Sequence, residues 1–363
     1  MSTPAATSEG FAAADAEKGL ARGHLWLRIW LYAIAGLIFA MVLVGGATRL
    51  TDSGLSITEW KPLLGAVPPL SEADWQDAFQ KYQQIPEYKV INRGMSLAEF
   101  KEIYWWEWAH RFLGRFIGVA FFLPFAVFWL AGAIPKGLMP RLIGIFLLGG
   151  LQGALGWFMV MSGLSERTDV SQYRLTAHLA VAVAILAAVL WTAFEVKHWG
   201  EGRGRFGWTS ARVGASVLAA AIFLQIMLGG LVAGTDAGLS HNTWPLMDGA
   251  IVPDGLGAMT PWWRNAFENV MTIQFDHRMM GYLVALIVFV QAAIALRSTG
   301  SGLRSTAALL VLAVIGQIAL GVATLLTHVQ IHVALTHQAG AIILFAIALR
   351  HLYLGRRAAA IRA

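Results

Sequence analysis

The chain has 363 residues, 57% of them hydrophobic and 13% charged, with a mean hydropathy of +0.60. That balance excludes a soluble domain and defines an integral membrane protein. It contains no cysteine, which excludes structural disulfides, iron–sulfur clusters and thiol catalysis.

In chain order, residues 1–27 form a polar tail that mixes Glu9, Asp15 and Glu17 with Lys18 and Arg22. This is neither a signal peptide nor an acid-poor transit peptide, so the first apolar run is expected to stay as a span. A bilayer core takes about 20 apolar residues per helix. Eight such runs follow, at roughly 29–47, 109–131, 139–161, 175–196, 212–233, 275–296, 305–327 and 334–354. The expected fold is all-α, with eight transmembrane helices arranged as two pseudo-symmetric four-helix bundles. The expected segments are a tail over 1–27, a first bundle over 28–200, a second over 201–356 and a tail over 357–363.

An even number of spans places both termini on one side. The segments on that side carry 15 Lys/Arg against 5 Asp/Glu, and those on the other side carry 12 against 16. The positive-inside rule therefore puts the termini in the cytoplasm, together with Arg203, Arg205, Arg356 and Arg357. The net charge of +6 is thus a topology signal, and nucleic-acid binding is not expected. The outer loops, about 48–108 and 234–274, are long and rich in tryptophan: Trp60, Trp75, Trp105, Trp106 and Trp108, then Trp244, Trp262 and Trp263. These rings form an interfacial aromatic belt or cover a flat apolar ligand. The inner loops are short, so function is expected at the outer face.

The chain repeats itself. Thr51-Asp52-Ser53-Gly54-Leu55-Ser56 returns as Thr235-Asp236-Ala237-Gly238-Leu239-Ser240, and Gly45-Gly46 as Gly229-Gly230, at an offset of 184. His110-Arg111 with Gly114 returns as His277-Arg278 with Gly281 at 167, Gln152 with Gly156 as Gln317 with Gly321 at 165, and His178 as His337 at 159. The falling offset places the length differences in loops. A unit of four spans returns to its starting side, so the copies are parallel. The glycine pairs suit close helix packing. The Asp-x-Gly-Leu-Ser segments suit turns with Gly54 and Gly238 at special backbone angles.

Histidine within a span is costly and rare. Four at matched positions, all at outer ends, call for chemistry. His110 and His277 are expected within about one turn of their helix starts. His178 lies four residues past Arg174, roughly 6 Å along its helix. Two imidazoles at similar depth on two helices of a bundle suit axial ligation of haem iron. Without cysteine they make a poor tetrahedral zinc set. His24, His198 and His351, at the cytoplasmic ends, read as surface residues. His241, His328 and His332 have no repeat partners, although the spacing of His328, His332 and His337 could suggest a metal site if the loop before the last helix did not break it.

The halves differ at one telling place, Glu107 against Gln274. Residues three apart share a helix face, so Glu107 can project towards the site under His110. A favourable charge at a helix start would not explain the amide at the partner position. The expectation is that the first half does chemistry, with Glu107 as acid/base or charge stabiliser, and that the second half holds a permanent redox cofactor. Arg111 and Arg278 are matched, whereas Arg115 stands opposite Tyr282. Arginines here can pair with haem propionates or snorkel to headgroups, and the sequence leaves both open.

Residues 28–354 resemble the haem A synthase family. The resemblance rests on Gly45 to Ser56, Glu107-x-x-His110-Arg111, His178, the Thr235 to Ser240 repeat with Trp244-Pro245, His277-Arg278 and His337. It implies oxidation of a haem O methyl group to formyl by successive hydroxylation, making haem A for cytochrome c oxidase. It implies haem b as cofactor on His277 and His337, haem O as substrate on His110 and His178, and a glutamate at position 107 needed for activity. Some bacterial relatives carry loop cysteine pairs. This chain has none and resembles the cysteine-free branch that includes proteobacterial and mitochondrial enzymes. The implied setting is a bacterial inner membrane, with haem O synthase, cytochrome c oxidase assembly factors and an electron partner nearby, and with a homo-oligomer compatible. A b-type cytochrome carrying electrons across the bilayer would need haem ligands at both faces, whereas all four candidates lie at the outer one. A transporter would prefer broken helices and midplane polar sites, for which Gln152 and Gln317 are the main candidates.

Overall fold

A computed structural model describes residues 5–61, 64–199, 210–297 and 300–361. Among them, eight helices are long and apolar enough to cross a membrane. They are α1 (Ala5–Leu50), α2 (Leu97–Leu130), α3 (Met139–Met161), α4 (Gln172–Val196), α5 (Ser210–Gly234), α6 (Val270–Leu296), α7 (Ser301–Leu326) and α8 (Ile331–Ile361). All eight expected runs are present. The stretch expected as an N-terminal tail is helical from Ala5 onward and continuous with α1. The expected boundary at 200/201, with Arg203 and Arg205, lies outside the described residues.

The largest difference is at α2, which starts twelve residues before the expected 109. A capping box starts it: Glu99 N donates to Ser96 Oγ at 3.3 Å, and Ser96 N donates to the Glu99 carboxylate at 2.7 Å. The added turns bury Phe100, Tyr104 and Glu107. His110 and His277 therefore lie thirteen and seven residues past the starts of their helices, neither within one turn as expected.

The two halves share one hydrophobic core, which draws Leu31 and Ile34 from α1, Val183 and Leu186 from α4, Ile222 from α5 and Phe345 from α8. In lipid the force holding helices together is close packing rather than exclusion of water, and the second glycine of each pair shows it. A Cβ on Gly46 would lie 1.8 Å from Gln338 Oε1 on α8, and one on Gly230 would lie 3.2 Å from Thr176 Oγ1 on α4. These glycines let α1 approach α8, and α5 approach α4, across the boundary between the halves.

At the outer end of α1, Ser53 N donates to Thr48 O at 2.9 Å and Asp52 N to Arg49 O at 3.3 Å, the paired bonds of a Schellman ending. The left-handed residue there is Asp52, with φ 48°, and its repeat mate Asp236 has φ 52°. The special angles thus fall on the aspartates and not on Gly54 and Gly238 as expected. Aspartate tolerates this region, and the turn directs both carboxylates at Arg49. That guanidinium, 12% exposed, meets Asp52 at 3.0 Å, Asp236 at 2.8 Å and Asp169 at 2.8 Å, and its Nε donates to Ala233 O at 3.1 Å. One arginine clasps both halves where α1 ends.

The first outer loop folds into a cap with its own small core. A capping box at Ser71 and Asp74 starts a helix over Glu72–Tyr82, and a short helix over Pro86–Val90 follows. Their Trp75, Phe79 and Tyr82 pack on Phe100 and Tyr104 of α2, with the Trp75 and Tyr104 ring centres 4.9 Å apart. Trp75 is therefore cap core. Trp60, Trp105, Trp106, Trp244, Trp262 and Trp263 are exposed and Trp108 is half-buried.

Candidate functional site

Each of the four matched histidines packs its ring on a glycine of a neighbouring helix. A Cβ on Gly45 would lie 3.3 Å from His110 Cε1, and on Gly229 3.2 Å from His277 Cε1. On Gly156 it would lie 3.0 Å from His178 Cε1, and on Gly321 2.9 Å from His337 Cε1. The glycine pairs thus divide their work: the first member seats a ring and the second joins the halves. His178 and His337 each lie six residues into their helices, α4 and α8. The His277 and His337 ring centres stand 6.5 Å apart at 78°, within reach of one shared metal at imidazole–metal bonds of about 2 Å.

Glutamines stand beside three of the four rings; Gln152 and Gln317 are matched in the repeat, whereas Gln225 has no glutamine opposite it. Gln152 Nε2 on α3 lies 3.2 Å from His178 Nε2 and donates to His178 O at 3.1 Å. Gln317 Nε2 on α7 lies 3.1 Å from His337 Nδ1 and donates to His337 O at 2.8 Å. Gln225 Nε2 on α5 lies 3.1 Å from His277 Nδ1 and donates to His277 O at 3.0 Å. The Oε1 atoms of all three glutamines and His178 Nδ1 are buried without a partner. Buried polar atoms are rarely left so. Paired imidazoles on glycine seats, with such unpartnered atoms beside them, are a donor set that fits a metal-bearing macrocycle.

Below the outer loops, Glu107 and Gln274 occupy one position in two copies of a latch. The buried Glu107 carboxylate accepts from Ser56 Oγ at 2.7 Å, Ile57 N at 2.6 Å and Arg111 Nη2 at 2.5 Å. Arg111 also donates to Ile57 O at 2.7 Å and Glu59 O at 3.1 Å. In the second half, Gln274 Nε2 donates to Ala237 O at 2.7 Å and also to Ser240 O. Arg278 donates to Gln274 Oε1 at 2.8 Å, His241 O at 2.8 Å and Thr243 O at 2.9 Å. The arginines grip equivalent loop carbonyls, but the first loop offers Glu107 donors where the second offers Gln274 acceptors. Part of the acid-for-amide difference is therefore the polarity of the loop that each side chain holds. Arg111 also lines an open cleft of about 260 Å³ with Glu59, Trp60, Trp157 and Met161. Arg115 donates to Lys61 O at 3.1 Å, whereas its counterpart Tyr282 accepts from Trp244 Nε1 at 3.0 Å.

The remaining histidines are placed individually. His351, expected at the surface, is 3% exposed and lies 2.8 Å from Thr306 Oγ1, because α7 packs over it. His24 and His198 are half-buried. His241 pairs with Asp248. His328 has φ 53° and sits in the turn that ends α7, where Val329 N donates to Thr324 O at 2.8 Å. This turn separates it from the exposed His332 and from His337, and no cluster of three or more metal-ligating side chains is found among the described residues. The Arg49 clasp was missed in the sequence because Arg49 stands opposite Ala233 and so falls outside the repeat.

Eight spans and two pairs of glycine-seated imidazoles near one face define a multi-pass membrane protein with paired histidine sites. Residues 28–349 match the family described as cytochrome oxidase assembly protein, and the chain belongs to that family. It is 54% identical over 331 residues to a haem A synthase of Chelativorans, covering 91% of each chain. Haem A synthases of Parvibaculum lavamentivorans and Azorhizobium caulinodans are 52% and 53% identical, each covering 91% of this chain and 94% of the relative.

Proposed function

We propose that this protein is a haem A synthase that oxidises a methyl group of haem O to formyl, with the substrate in the first half and a resident haem b in the second. The observation that carries the division is the break in symmetry beneath the outer loops, a buried carboxylate beside His110 against an amide beside His277. His277 and His337 would hold haem b, and His110 and His178 would hold haem O. Bound haem b supplies one-electron exchange. The chain itself supplies position: glycine floors set the depth of the rings, and Gln152, Gln225 and Gln317 orient three of them. Glu107 lies one turn from His110, aimed by Arg111, Ser56 and Ile57, and acts as proton acceptor or as stabiliser of developing positive charge at the reacting methyl. Arg111 and Arg278 hold the loops over the two sites, and a haem carboxylate approaching either would meet a guanidinium already near the interface.

The charge asymmetry of the loops supports a bacterial inner membrane with both termini cytoplasmic and the sites at the outer face. Haem O synthase then stands upstream, cytochrome oxidase assembly downstream, and an electron partner meets the outer face. The test is the haem profile of membranes carrying this protein beside a haem O source. Wild type should yield haem A, Glu107→Ala should accumulate haem O, and purified His277→Ala should lack haem b. A wild type that yields only haem b would make it an electron carrier, and a His277→Ala that keeps haem b and makes normal haem A would overturn the division of labour.

A further inference from the structure

The four histidines are alike in their glycine seats but not in their hydrogen bonds. Gln152, Gln225 and Gln317 each place an amide beside the ring of His178, His277 and His337 and donate to the backbone carbonyl of the same residue. His110 has no side-chain hydrogen bond among the described residues. The repeat explains why. Gln225 on α5 corresponds, at the offset of 184 that relates Gly45 to Gly229, to Met41 on α1. The two occupy the same place: Gln225 Nε2 is 3.6 Å from a Cβ built on Gly281, and Met41 Cε is 3.0 Å from one built on Gly114. Gly114 and Gly281 each lie four residues past a histidine, on the same helix face. A thioether is a weak acceptor and no donor, so Met41 fills the position of the glutamine without fixing the ring.

When iron takes one imidazole nitrogen the other keeps its proton and needs an acceptor. The partnerless Oε1 of Gln225 and of Gln317, on amides already beside these rings, supplies it after a turn of the amide, and losing such a partner costs about 10–100-fold in metal affinity. Resting on the assignment of substrate to the first half and resident haem to the second, we infer that the Met41/Gln225 exchange sets how long each half keeps its haem. Gln225 is a positioning residue that locks His277 into a retaining site with two glutamine-held rings. Met41 leaves His110 with its glycine seat but no hydrogen-bonding partner, so the first half has one held ring and one less firmly held, and a haem that must enter, react and leave can do so. The requirement is chemical: a substrate site as tight as the cofactor site would turn over at the rate of haem release.

The test uses purified full-length protein and follows haem transfer to excess apomyoglobin by Soret absorbance, with haem O and haem A exchange measured in the same way. Gln225→Met should speed release of haem b by about 10–100-fold and alter the low-spin electron paramagnetic resonance signal of that haem. Met41→Gln should slow release from the first half by a similar factor, lowering kcat and KM for haem O together while leaving haem b content unchanged. His277→Ala separates the inference from the reading beneath it. If that variant keeps haem b, the division of the halves fails and the inference with it. If it loses haem b while Gln225→Met and Met41→Gln both release haem at wild-type rates, the inference alone is overturned.

Discussion

The two halves are copies in sequence and in the seating of their histidines, and they part at the positions that would distinguish a reactant from a fixture. In the second half, the loop over the site is held by an amide and a glutamine amide lies within hydrogen-bond distance of each imidazole. In the first half, a carboxylate holds the loop, one imidazole is left free and a folded cap rises above. Duplication supplies two equivalent sites, and a few changes in hydrogen-bond polarity are enough to give them different roles.

The sharpest way to break this comparison is to fill a glycine seat. Gly321→Ala would put a methyl 2.9 Å from the His337 ring, which cannot be accommodated without moving it. Haem b should be lost from the purified protein, with a fall of tenfold or more in retention. Gly118→Ala, whose added methyl meets nothing within 4 Å, should retain it fully; equal retention in both variants would remove the seats from the argument. Exchanging the latch comes next. Glu107→Gln places an amide where Ser56 and Ile57 both donate and removes the charge opposite Arg111. It should abolish haem A formation and cost about 1–3 kcal/mol locally, read as faster hydrogen exchange at the Ile57 amide. Full activity at normal protein level would leave Glu107 a latch only.

Smaller effects test what joins the halves. Arg49→Ala leaves Asp52, Asp169 and Asp236 facing one another. Because those partners are themselves partly exposed, the loss should be about 1–3 kcal/mol, below the range for a fully buried pair, measured as a lowered thermal midpoint in detergent. Burial raises the Glu87 carboxyl in the cap to about 8, with Asp52, Glu107 and Asp169 adding to the effect. Its native form is the neutral acid, so its contribution to cap stability is full below the unfolded value of about 4.3 and is lost as pH rises through 8. Trp75 fluorescence melts should therefore show a cap that weakens from pH 5 to 9, and Glu87→Gln should flatten that slope.

Much of this was legible in the sequence because period and repetition are local signals. Eight apolar runs need only length and hydropathy, and the histidine pairs need only a constant offset. The early start of α2 was legible too, since Ser96 and Glu99 spell a capping box, but the apolar run beginning near residue 109 masked it. Gln152 and Gln317 were visible as matched residues with no visible task. Gln225 was invisible, because its mate is a methionine and a broken repeat leaves no mark. The aspartates at positive φ were hidden behind neighbouring glycines that turn equally well.

The sequence by itself determined a duplicated eight-span protein with paired histidines near one face, since spans and repeats are properties of the chain read along its length. Only the tertiary structure decided which glycine seats a ring and which joins the halves, which glutamine serves which histidine, and that one unrepeated arginine clasps three aspartates. Those facts depend on which side chains meet across helices, and such meetings are set by packing between segments more than a hundred residues apart, where no local pattern records them.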